Sequence, residues 1–130
     1  MAAPAVIEPI TQKGDGDCVI ASVAMLCGIS YNEASKKAVE LFPEPHKTGL
    51  NVKETQRLIK ALVGRYFESL STKTLDLDEE TGILFVKLPD EYHAVALFEG
   101  SIFNPMDGLL WNRSAYFETK KAHTVRLLRP

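Results

Sequence analysis

Four side chains in this sequence are of types that together can attack a carbonyl: Gln12, Cys18, His93 and Asn104. Cys18 stands where a Gly-Asp-Gly-Asp run meets the apolar stretch VIASVAMLCG. Glycine reaches positive φ and aspartate bonds its own backbone, so the run before Cys18 reads as a loop. The stretch after it has no polar side chain but Ser22 and ends on Gly28, a helix stop. With Asp17 as N-cap, Cys18 opens the first helical turn. A thiol there meets the positive end of the helix dipole and free N–H groups, which favour the nucleophilic thiolate. Gln12, six residues upstream, offers an amide that can donate to a developing oxyanion. The plainer alternative is that Cys18 is core, since free cysteines mostly behave as small buried hydrophobes. Cys27 reads that way: nine residues on, helical geometry turns it away from Cys18.

His93 lies in EYHAVALFEG, a stretch that alternates as a strand. Tyr92, Ala94, Ala96 and Phe98 take one face; His93, Val95 and Leu97 take the other. A histidine there is either a satisfied core residue or a base aimed at a cleft. Asn104, eleven residues on, ends the next strand, and a tight turn at Glu99-Gly100 brings the two together. An amide or carboxylate beside an imidazole fixes its tautomer and orientation, as a general base requires. Asp107, in PMDG, competes with Asn104 for that role, its alternative being an ordinary turn residue.

The elements that must position these groups follow from pattern. Pro4 and Pro9 keep residues 1–11 extended. A first helix over Cys18–Cys27 has no polar face and so belongs at the centre of the domain. A second starts at Ser30, where Ser30 to Glu33 fits a capping box, and buries Ala34, Ala38, Leu41 and Phe42. FPEPHKTG, which holds His46, reads as a loop. A third helix starts at Asn51, turns Val52, Leu58, Ile59, Leu62 and Val63 to one face, and stops at Gly64. Thereafter the period shifts to strands: Tyr66–Ser71, Gly82–Leu88, Glu91–Gly100, Ser101–Asn104 and His123–Arg129. An acidic turn, DLDEETG, and a short surface helix over Asn112–Lys121 interrupt them. Helices before an antiparallel sheet make an α+β domain, one domain over residues 1–130. The seam between the two halves is the natural place for a cleft, with Phe42–Leu50 and Pro89–Tyr92 as its lining loops.

The ordered set of Gln12, Asp17-Cys18 at a helix start, small Ala21 and Ala24, His93 on a strand and Asn104-Pro105 resembles the papain-like cysteine peptidases. It is most similar to the C39-like type, over roughly residues 12–105. The resemblance implies a papain-like α+β fold with N-terminal helices packed on a C-terminal antiparallel sheet. It further implies Cys18 as nucleophile, His93 as general base and Asn104 as its orienter, with Gln12 and the Cys18 N–H as oxyanion donors. The implied activity is that of a cysteine peptidase or related thiol acyl hydrolase on a peptide or protein substrate, with no cofactor. Two departures stand out: Val19 replaces the glycine usual after the nucleophile, and asparagine replaces the usual aspartate at Asn104. A binding module on the same scaffold, or an acyltransferase whose acyl-enzyme is intercepted by an amine, uses the same residues.

Composition narrows the alternatives. The 130 residues are 45% apolar and 25% charged with net charge −2, so no basic surplus marks a nucleic-acid or membrane surface. Two cysteines make no disulfide framework, and neither a signal peptide nor a transmembrane run stands out, so a cytoplasmic protein is expected. Cys18, Cys27, His46, His93 and His123 lack metal-ligand spacing, and no metal is expected. Asp15 and Asp17 begin like a calcium loop, but Val19 and Ala21 hold later ligand positions.

Overall fold

A computed structural model describes residues 10, 17–45 and 49–130. The helix α1 (Cys18–Cys27) buries every residue except Cys18, as expected of a helix without a polar face. Gly28 ends it at φ 68°, its N–H returning to Ala24 O. Asp17 holds the N-cap position, but its side chain makes no capping bond, contrary to expectation. It is fully buried and accepts the Tyr31 hydroxyl from α2 (Tyr31–Leu41) instead, which ties the two helix starts together. Ser30 Oγ accepts Glu33 N–H at 3.1 Å to begin α2. The third helix, α3 (Val52–Val63), has both halves of its capping box: Glu54 N–H to Asn51 Oδ1 at 2.8 Å, Asn51 N–H to Glu54 Oε1 at 3.0 Å.

Six strands form one antiparallel sheet: β1 (Glu68–Ser71), β2 (Gly82–Lys87), β3 (Tyr92–Phe98), β4 (Ser101–Asn104), β5 (Leu109–Asn112) and β6 (His123–Arg129). Their order is β1-β6-β2-β3-β4-β5, so the last strand inserts beside β2 rather than closing an edge. The alternation read on β3 is realised as two cores. Ala94 and Ala96 pack with Ile83, α1 and the other N-terminal helices. Val95 and Leu97 pack on the other face with Leu84, Val86 and Tyr116. Tyr116 belongs to α4 (Arg113–Lys120), capped by Asn112 Oδ1. That helix lies on the surface as expected, anchored by Tyr116, its one buried residue. The strand β5 lies outside the sequence expectation; its Leu109 and Leu110 are more than half exposed, so it shows no buried alternation.

The chain is thus α+β; among the described residues, three helices precede the sheet and a fourth is inserted before its last strand. Among the described residues no helix is long and apolar enough to cross a membrane.

Candidate active site

The turn from β3 to β4 places His93 and Asn104. Glu99 (φ 48°) and Gly100 (φ 84°) both take positive φ, the pairing a tight two-residue hairpin needs. The hairpin pairs Phe98 with Ser101 and Ala96 with Phe103; continued one step, the register sets Asn104 opposite Val95. His93 lies on the same face as Val95, two residues along, so it is a diagonal neighbour of Asn104. His93 Nε2 and Asn104 Oδ1 meet at 2.9 Å, both residues being nearly inaccessible. Oδ1 also accepts the Met106 N–H at 3.3 Å. A backbone N–H can only donate, so the amide oxygen faces this point and His93 carries its neutral-state proton on Nε2. That leaves Nδ1 with a lone pair.

Asp107 does not compete for the imidazole. Its carboxylate accepts Leu109 N–H at 2.9 Å and Trp111 Nε1–H at 3.0 Å, and Lys120 lies 4.0 Å away. It shapes the turn into β5.

Cys18 is the first residue of α1, so its own N–H lies outside the intrahelical ladder. The last β3–β4 pair is Ala96 with Phe103, and beyond Asn104 the chain enters Pro105, which has no N–H for a ladder. There α1 meets the Ala94 peptide: Ser22 Oγ donates to Ala94 O at 3.4 Å, and the Ala94 N–H bonds the Cys18 sulfur. The thiol is therefore held at the residue next to His93. Both residues line one cavity of about 770 Å³ at the helix–sheet seam. Pro43, Gly49 and Leu50 line one side and Glu91 and Tyr92 another, parts of the two loops expected there. Gln12, Asp15 and His46 lie outside the described residues.

The resting charges differ from the sequence expectation of a thiolate. Burial pushes the Cys18 thiol above its ordinary value of 9.0, outweighing the Ala94 and Val19 N–H groups, and Asp17 and Glu91 push it further. Burial likewise holds the His93 imidazole below 6.5, against the Asn104 bond and the fields of Glu91 and Asp107. Both shifts favour the uncharged thiol and imidazole over an ion pair. Helix-dipole reasoning missed this because desolvation of a charge, which no local pattern reports, is the larger effect. Cys27 is buried and its thiol is pushed up to about 11, mainly by burial; both cysteines are free.

Glu91, two residues before His93, is on the cavity wall, within the Pro89–Tyr92 loop that sequence reasoning placed there without giving this residue a role. Its place in the turn before a histidine-bearing strand was the available signal. Among the described residues no three His, Cys, Asp or Glu side chains group as a metal site. Compared with models of protein families, with curated proteins and with solved structures, the chain matches none.

Proposed function

We propose that the protein is a papain-like thiol acyl hydrolase, in kind a C39-like cysteine peptidase acting on a peptide or protein substrate in the cytoplasm. The observation that carries this reading is the 2.9 Å bond from His93 to Asn104, at a cavity that the helix-start thiol of Cys18 shares. An imidazole pinned through Nε2 presents Nδ1 as a base, and a partly buried thiol at a helix start is a placed nucleophile. As sulfur attacks the acyl carbon, Nδ1 takes the thiol proton and the carbonyl becomes an oxyanion. The Cys18 N–H and the Gln12 amide stabilise that charge, by about 3 kcal/mol for each donor. His93 then gives the proton to the departing amine. Water, deprotonated by the same nitrogen, cleaves the thioester and restores the thiol. Starting from a neutral pair, His93 acts as a general base during attack, a role worth about 10²–10⁴ in rate.

Alkylation of Cys18 and Cys27 by iodoacetamide across pH 4–9, read by peptide mass, tests this. Cys18 should react faster than Cys27 near neutral pH, and His93→Ala should slow Cys18 by about tenfold or more. A Cys18 rate indifferent to His93 would sink the reading. The burial that keeps both groups uncharged favours a second reading, a binding module that holds a peptide in the cleft without cutting it. In that case alkylation is slow in wild type and His93→Ala alike, while occupying the cleft still protects Cys18.

A further inference from the structure

We infer that the cleft selects acyl substrates carrying a positive charge close to the scissile carbonyl, and that Glu91 reads that charge. The inference rests on the acyl-transfer reading above and names its substrate class. Two carboxylates, Glu54 and Glu91, line the cavity that holds Cys18 and His93, and no described lining residue is a lysine or arginine. Glu54 spends one oxygen on the Asn51 N–H of its capping box and keeps its charge on the cavity wall. Glu91 is exposed and, among the described residues, its carboxylate pairs with no cation. Its backbone is fixed: Leu88 N–H donates to Glu91 O at 2.7 Å across the turn, and the next residue, Tyr92, pairs with Lys87. The nearest ammonium on that turn, that of Lys87, is directed at the carbonyls of Leu88 and Pro89.

Glu91 is also close enough to act electrostatically on both reacting groups, raising the thiol and the imidazole alike. A carboxylate left unpaired beside a nucleophile repels an anionic substrate and attracts a cationic one. Leu50, Val52, Phe85 and Val125 supply the apolar part of the lining. Apolar wall with a carboxylate at its edge matches a lysine or arginine side chain, whose stem buries while its tip stays polar.

The test uses three small alkylators of Cys18 at pH 7 and low salt: iodoacetate, iodoacetamide and 2-bromoethylammonium. Each rate is normalised to that of free N-acetylcysteine amide, in wild type, Glu91→Gln and Glu54→Gln. Glutamine at position 54 can keep the capping box while removing its charge. The expected normalised preference for the cation over the anion is about tenfold, falling severalfold in Glu91→Gln and shrinking at high salt. A preference near one in wild type, or one unchanged by Glu91→Gln, overturns the inference. Failure of the acyl-transfer reading shows separately, as rates with all three reagents that His93→Ala leaves unchanged.

Discussion

Asn104→Ala should cost about 2–3 kcal/mol of stability and release the imidazole from its fixed tautomer. The amide oxygen serves two donors, His93 Nε2 at 2.9 Å and the Met106 N–H at 3.3 Å. The Met106 bond is the longer of the two and contributes less to the loss. His93 is 4% exposed and Asn104 2%, so the imidazole N–H is left in a dry site without an acceptor. An unsatisfied buried donor costs about 1–3 kcal/mol, and the removed amide leaves a small void besides. Urea melts at pH 8 measure the first effect as a lower midpoint at unchanged slope. Long-range ¹H–¹⁵N correlation of the His93 ring reads the second: Nε2–H alone in wild type, a mixture in the variant. Asn104→Asp keeps an acceptor and adds a charge, so it should retain the Nε2–H tautomer and raise the imidazole pKa. A wild-type ring protonated on Nδ1, or a loss below about 0.5 kcal/mol on Asn104→Ala, would refute the assignment of Asn104 as orienter.

Three further expectations follow from burial and contact. Tyr116 is wholly buried and its hydroxyl has no hydrogen-bond partner among the described residues. Tyr116→Phe should therefore stabilise the fold, by about 1 kcal/mol in urea melts; destabilisation of that size would show that the hydroxyl has a partner. Gly82→Ala would set a Cβ 2.2 Å from Leu128 O and 2.9 Å from Leu127 Cδ1. Because the first contact is backbone, β2 and β6 must part, at a cost of about 3 kcal/mol; a neutral melt would contradict the packing. The pH dependence of stability should have two limbs. His93 titrates below 6.5 in the fold, so stability falls as pH drops below about 6.5, where the unfolded chain binds the extra proton. The buried thiols titrate above 9.0, so stability also falls as pH rises past about 9. Cys27, pushed up to about 11, accounts for about 2–3 kcal/mol of the alkaline loss, and Cys27→Ala should flatten that limb.

What could be read without coordinates is what local chemistry determines. The start of α3 was legible because Asn51 and Glu54 satisfy each other's backbone, and the end of α1 because Gly28 takes positive φ. The closeness of His93 and Asn104 was legible because a two-residue turn with alternating strands fixes which residues share a face. What escaped depends on distant parts of the chain. The placing of β6 between β1 and β2 joins residues far apart in sequence, and no local pattern encodes it. The strand β5 escaped because it is an edge whose leucines face water and whose pairing is set by the turn bonds of Asp107. The buried partner of Asp17 escaped for a related reason: Ncap preference competes with the Tyr31 hydroxyl, and only packing of α2 on α1 decides between them.

That competition bears directly on the proposed nucleophile. Were Asp17 to cap α1, its carboxylate would occupy the first-turn N–H groups beside Cys18. Drawn instead onto Tyr31, it leaves those donors uncapped by its side chain while still raising the thiol through its charge. The helix therefore reaches β3 with no capping bond from the Asp17 side chain and with its thiol pKa raised, held at the Ala94 peptide one residue from the imidazole. Cys18 rides on the helical half, while His93 and Asn104 are fixed within the sheet, so the contact of α1 with the Ala94 peptide carries their mutual placement. Burial at that contact favours the uncharged form of both groups, and in the proposed mechanism it makes the proton transfer between them depend on a substrate arriving at the sulfur.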